Sequence, residues 1–261
     1  MQLNSPPDFE ALNSMGYTRI KESTYSFDHP EVKAWTEFFE QETLKRNIFS
    51  RFFELNPVPS SARAVAVGTQ WHRFSEFMPW FLCQAAALVP TNPIRHYVIQ
   101  TAFEELGMRD STEIHSDLFW RTTESVGVTC NDRQRLSQYE PVSSALNFLK
   151  EELLGMKNYA EILGIMLGLE IPAKENIEAI FLSLSNSKLD EAKLRKTKFF
   201  TLHRQIEIEH VRLNVANFLR FCPEISERDL FLVGFNKGLM FWEQFWSGIS
   251  QLISLEKLNC E

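Results

Sequence analysis

Cysteine is scarce and scattered in this chain: Cys83, Cys130, Cys222 and Cys260 are four in 261 residues, and no two form a C-x-x-C pair. Closely spaced thiols are what a structural zinc site or a redox pair requires, so neither is indicated, and a reducing compartment fits best. Concentrated positive charge is missing too. The net charge is −7, and the one basic run, Lys193, Arg195, Lys196 and Lys198, has Asp190 and Glu191 beside it. That pattern reads as a solvated helix face, not as a phosphate-binding footprint, and no nucleic-acid partner is expected. No apolar run approaches the ~20 residues of a membrane span, and residues 1–8 lack the basic-then-apolar layout of a signal peptide. The expectation is a soluble, cytoplasmic protein without a membrane partner. Strict apolar–polar alternation, the mark of half-buried strands, is not sustained anywhere.

What the chain has in abundance is helical periodicity and aromatic residues. With 44% hydrophobic content and 22 Phe, 6 Trp and 5 Tyr, it is long enough to bury one substantial core. One domain is expected over residues 28–261, after an N-terminal extension over 1–27. Asp28-His29-Pro30 reads as a helix start, with the amphipathic run continuing to Leu55 and stopping at Asn56-Pro57-Val58-Pro59. A second helix is expected over 60–88, with Pro79 a kink point. Thr91-Asn92-Pro93 opens a third, which carries Glu104 and Glu105 to Gly107, and Ser111-Thr112-Glu113 reads as a fresh start leading to His115. A polar connection over 131–141 precedes helices over 142–154, 159–184, 189–221 and 226–252. The fold class that follows is all-α, a bundle of about seven helices.

Within the helix over 189–221, the spacing His203-x3-Glu207-x2-His210 gathers three metal-binding residue types. At about 100° per residue, these positions fall within roughly 60° of one another around the helix axis. Each has a plainer reading. His203 and His210 could bridge neighbouring helices, and Glu207 could pair with Arg204. Glu170 is harder to explain away, because it stands alone in the apolar stretch Ile165-Met166-Leu167-Gly168-Leu169-Glu170-Ile171, where a carboxylate is costly unless paired or coordinated. Glu207-x-x-His210 is the i, i+3 pair that ferritin-like two-metal bundles carry on each of two helices. Here it occurs once: His29, His72, His96 and His115 follow Ser26, Thr69, Pro93 and Thr112 at that spacing. Ferritin-like architecture is therefore disfavoured.

Glu105-Leu106-Gly107, then His115, a lone Glu170, and His203-x3-Glu207-x2-His210, in that order, resemble the haem-oxygenase-like di-iron oxidases and oxygenases. Relatives on that fold include the chlamydial death-domain-associated protein, thiaminase II and pyrroloquinoline-quinone synthase. The resemblance spans about residues 30–252 and implies a haem-oxygenase-like bundle. It also implies a ligand set of Glu105, His115, Glu170, His203, Glu207 and His210 for two Fe²⁺ ions, with manganese–iron as the alternative pair. Many members have aspartate where this chain has Glu207. Some place a sacrificial lysine where this chain reads Ala179-Ile180-Phe181, so a self-sacrificing synthesis is not supported.

The implied activity is that of a non-haem di-iron enzyme that activates O₂ through a peroxo species to oxidise a small molecule, such as an amino acid or aromatic amine, in a biosynthetic pathway. A homodimer is compatible with this. Three carboxylates leave one of the four positive charges of two ferrous ions for an oxygen-derived ligand, and nitrogen and oxygen donors suit iron or manganese. Two alternatives stay open: a metal-free enzyme of the same fold, thiaminase-II-like or a cofactorless oxidase, and a death-domain-type interaction module. The first needs an activated thiol if it is a hydrolase, and no cysteine has an obvious activating setting. A true haem oxygenase would need a proximal histidine in its first helix, where only His29 is near.

Overall fold

Every regular element among the described residues is helical, as the periodicity requires. The computed structural model describes residues 29–156, 158–185 and 191–258, with the side chains of 204–210 and 258 outside that description. The expected extension over 1–27 lies outside it as well, as does Cys260. No described helix is long and apolar enough to cross a membrane.

Helix α1 (Pro30–Lys45) starts as the sequence predicts: Pro30 occupies the first position, where its missing N–H costs nothing, and His29 Nδ1 accepts from the Glu31 amide. The expected single helix over 30–55 is two helices. Asn47 adopts a left-handed backbone, φ 54°, which no continuous helix can pass, and α2 (Ile48–Leu55) begins beyond it. Helix α3 (Ser61–Leu88) is capped by the Ser60 hydroxyl and continues through Pro79. Helix α4 (Asn92–Glu105) follows, then a 3₁₀ turn over Ser111–Glu113 and α5 (His115–Ser125).

The predicted polar connection over 131–141 holds a short helix of its own, α6 (Cys130–Leu136). It is stabilised by a reciprocal capping box between Thr129 and Asp132. After α7 (Glu140–Gly155) come α8 (Tyr159–Glu170) and α9 (Ala173–Leu184). These were expected as one helix, but Pro172 has no N–H to continue α8, and its carbonyl instead accepts from the Asn176 amide to start α9. A short α10 (Glu191–Arg195) leads to α11 (Lys198–Phe221) and α12 (Ile225–Leu258).

The core runs along α12. Its inner face carries Phe241, Trp242, Phe245 and Trp246, all buried, packed on Trp71 and Phe74 of α3. Trp71 and Trp242 stack with ring centres 5.5 Å apart and planes 10° from parallel. Helices α8 and α12 approach until their backbones touch, because Gly164 and Gly168 of one face Gly234 and Gly238 of the other. A methyl group at Gly164 would stand 2.1 Å from the Phe231 carbonyl oxygen, and one at Gly234 would stand 2.0 Å from that of Glu161. This contact fixes α8, and with it the position of its last residue, Glu170.

Candidate metal centre

Two helices end at the same cavity, and each ends on a carboxylate. Glu105 is the last residue of α4 and Glu170 the last residue of α8. Both line a cavity of about 90 Å³ together with His115 and His203. A helix C-terminus carries partial negative charge, so a carboxylate there is disfavoured by ~0.3–1 kcal/mol relative to a neutral side chain. Two such ends meeting at one cavity create a negative potential that a bound cation would offset.

His115 occupies the first position of α5, at the opposite, positive pole of a helix. The turn between Glu105 and His115 is tightly determined. Gly107 takes φ +78°, and a methyl group there would come 2.5 Å from the Asp110 carbonyl oxygen. Asp110 Oδ1 then accepts from the Thr112 amide and hydroxyl to start the 3₁₀ turn. Lys198, at the start of α11, forms an ion pair with Glu113 and ties this turn to the helix that carries His203. As a result Glu105 Oε2 lies 3.3 Å from His115 Nδ1, and the His115 and His203 rings are 5.1 Å apart.

His203 is held in a defined tautomer. Its Nδ1 lies 2.8 Å from the Phe199 carbonyl oxygen, which can only accept, so Nδ1 carries the proton and the lone pair is on Nε2. Histidine ligands are commonly oriented by such a hydrogen bond from the other ring nitrogen. The Phe199 ring packs 4.1 Å from the imidazole and restricts its rotation.

Glu170 has polar surroundings on its other side as well. With Tyr97, Glu104 and Asn214 it lines a second cavity of about 20 Å³, room for one water molecule. Tyr97 donates its hydroxyl to Asn214 Oδ1 at 2.5 Å. Burial, followed by the Glu170 and Glu104 carboxylates, pushes the Tyr97 phenol well above its ordinary range, so it stays a hydrogen-bond donor. Glu104 and Glu105, adjacent in sequence, are thus divided between two cavities. It is Glu105 that joins His115 and His203.

Four of the six expected ligands, Glu105, His115, Glu170 and His203, therefore share one cavity. Among the described residues no three His, Cys, Asp or Glu side chains are gathered closely enough to hold one ion. Helix α11 runs unbroken through positions 207 and 210, but the Glu207 and His210 side chains lie outside the described ones. The donors present fit iron chemically: carboxylate oxygens and imidazole nitrogens, with no thiolate at the cavity. Much of the remaining lining is apolar, formed by Trp71, Phe74, Met78, Leu169, Phe199 and Trp242.

His72 and His29 have local roles. His72, 1% exposed, packs on Trp120 with its Nδ1 3.2 Å from Glu76, whose carboxyl its hydrogen bond holds below the usual range. His29 caps α1. Of the basic run, Arg195 lies over the Phe181 ring at 3.7 Å and Lys198 pairs with Glu113, so two of its members hold structure as well as facing solvent. Two polar side chains on the cavity, Ser75 and Asn176, have no counterpart in the motif reading. Asparagine and serine within helices carry no spacing signature, and only the fold brings them here.

A family model described as iron-containing redox enzyme matches residues 68–243, about two thirds of the chain, and its span takes in all six expected ligands. No curated protein matches the chain.

Proposed function

The chain belongs to the iron-containing redox enzymes of haem-oxygenase-like fold, and from that premise we propose that it is a non-haem di-iron enzyme using O₂ to oxidise a small organic molecule. The observation that carries this reading is the meeting of Glu105, His115, Glu170 and His203 at one cavity, with both carboxylates at helix C-termini. These four, with Glu207 and His210 from the same face of α11 by helical spacing, are the residues that would hold the iron. Bound ferrous iron supplies the electrons that reduce O₂.

The chain's own contribution is placement and exclusion. Glu105 and Glu170 would offset cationic charge, and the Nδ1–H of His203 donates to the Phe199 carbonyl, which leaves the Nε2 lone pair for coordination. Trp71, Phe74 and Trp242 form a rigid apolar wall that keeps bulk water away and leaves room for several water-sized groups. Tyr97 remains protonated beside Glu170 and anchors that flank of the site through Asn214.

Among the described cysteines none suits the metal-free hydrolase alternative as a nucleophile. Cys222 is fully buried, and burial pushes its thiol up to about 12, leaving it protonated and unreactive near neutrality. Cys83 and Cys130 are exposed and do not line the cavity. His29, the one histidine near the first helix, has its Nδ1 engaged in capping and is not at the cavity, which leaves a haem-ligand role without support.

The test is O₂ uptake by protein loaded anaerobically with Fe²⁺ and then mixed rapidly with O₂, with visible absorbance followed in parallel. We expect uptake that requires iron and is accompanied by a transient absorbance. Iron-loaded protein that consumes no more O₂ than free Fe²⁺ in buffer would overturn the proposal.

A further inference from the structure

Asn176 is 1% exposed, lies in the first turn of α9, and lines the cavity described above. Its orientation is settled by Trp246. The indole Nε1 can only donate, and it donates to Asn176 Oδ1 at 2.8 Å. The amide NH₂ is therefore directed away from Trp246, and among the described residues Nδ2 has no hydrogen-bond acceptor. A buried donor left unsatisfied costs ~1–3 kcal/mol, and such a group in a native structure calls for an explanation.

A second observation points the same way. The N-terminus of α9, a helix of 12 residues, meets the cavity at Ala173, and its N-cap is Pro172, which provides no side-chain capping bond. An uncapped N-terminus presents backbone N–H groups and partial positive charge. Glu175, the acidic residue of that first turn, is not among the residues lining the cavity. The Asn176 amide and the uncapped start of α9 thus give the cavity donors, beside the Glu170 carboxylate whose charge bound iron would offset. Trp71, Phe74 and Trp242 give the same cavity an apolar face.

We infer that Asn176 and the N-terminus of α9 form the anchor for a carboxylate group of the substrate, whose apolar body lies against the Trp71–Trp242 wall. The inference rests on the redox-enzyme reading for the identity of the ligand as substrate. Asn176 is a specificity-determining residue in this account, and Trp246 positions it. Because Pro172 links the end of α8 to the start of α9, the same two-residue break that ends α8 at Glu170 brings the anchor next to the candidate ligands.

The test uses short four-carbon probes that differ only at one end: butanoate, 1-butanol and butylammonium. Each is titrated calorimetrically into the full-length, iron-loaded protein without O₂, with iron content measured on every sample. Butanoate should bind at least about tenfold more tightly than either of the others, since charge-assisted hydrogen bonds are at stake. Asn176→Ala should weaken butanoate binding at least about tenfold with iron content unchanged. Asn176→Asp, which keeps the acceptor for Trp246 but replaces the donor with negative charge, should weaken it further. Trp246→Phe, which keeps an aromatic ring in the core while releasing the amide from its lock, should cost less than Asn176→Ala.

Equal butanoate affinity in wild-type and Asn176 variants of unchanged iron content, or no preference for butanoate over 1-butanol, would overturn the inference. If an Asn176 variant fails to fold, the wild-type probe series and Trp246→Phe decide it by the same criteria. If the wild-type protein takes up no iron, the redox-site reading falls alone, and butanoate affinity compared between iron-free wild type and Asn176→Ala, which share the same carboxylates, still decides whether Asn176 binds carboxylate.

Discussion

Glu170 ends helix α8 in a place where elementary electrostatics disfavours it: a helix C-terminus, next to the apolar run of residues 162–169, with Glu104 across a small cavity. Such a residue is retained against stability when function needs its charge. The prediction is a trade-off. Glu170→Gln should leave metal-free protein as stable as wild type or more so, by ~0.5 kcal/mol from relief at the helix terminus, while weakening iron binding at least about tenfold. Thermal melts with and without iron, together with iron titration, measure both. A metal-free Glu170→Gln protein markedly less stable than wild type would show that the carboxylate is a structural group.

Glu170 was legible in the sequence because an isolated charge in an apolar stretch stands out against its neighbours. His203 was legible by spacing, and the choice of Glu105 over Glu104 came with the resemblance and is supported by the two cavities they line. Asn176 was not legible. Its significance comes from a Trp246 indole 70 residues away, and no local pattern encodes a tertiary hydrogen bond.

At the scale of elements, the long helices followed from periodicity, whereas the breaks between them depend on single residues whose effect is conformational. Asn47 turns the chain by adopting φ 54°, and Pro172 stops α8 by lacking an N–H. Periodicity runs across both, which is why residues 30–55 and 159–184 each read as one helix. The Pro172 break matters most for the site, because it puts Glu170 at one helix end and Asn176 at the next helix start. The Gly164/Gly168 and Gly234/Gly238 contact is the other device at this scale, and it sets how closely α8 lies on α12. Gly164→Ala would place a methyl group 2.1 Å from the Phe231 carbonyl oxygen, a backbone atom that cannot rotate away. The helices would have to separate, at a cost of ~3 kcal/mol, the upper part of the usual range for overpacking. Denaturant unfolding of Gly164→Ala against Gly155→Ala, where an added methyl meets nothing within 4 Å, isolates the effect. Equal stability of the two variants would contradict the backbone contact.

Taken whole, the molecule joins two structures with different duties. One is the aromatic core along α3 and α12, centred on Trp71, Phe74, Trp242 and Trp246, which provides rigidity and the dry wall of the cavity. The other is the ring of helix ends, α4, α5, α8 and α9, which delivers Glu105, His115, Glu170 and Asn176 to that wall, while α11 delivers His203 from mid-helix. Helix ends suit such a role, because they expose the poles of the helix dipole and let neighbouring elements contribute side chains of opposite demand to one cavity.

Whether this cavity holds iron through the named side chains is read most directly from iron stoichiometry after anaerobic loading and desalting, for wild type, His115→Ala and His203→Ala. Two irons per chain are expected in the wild-type protein and a clear loss in each variant, with helical content by circular dichroism unchanged. Iron binding that is the same in all three proteins would contradict that expectation.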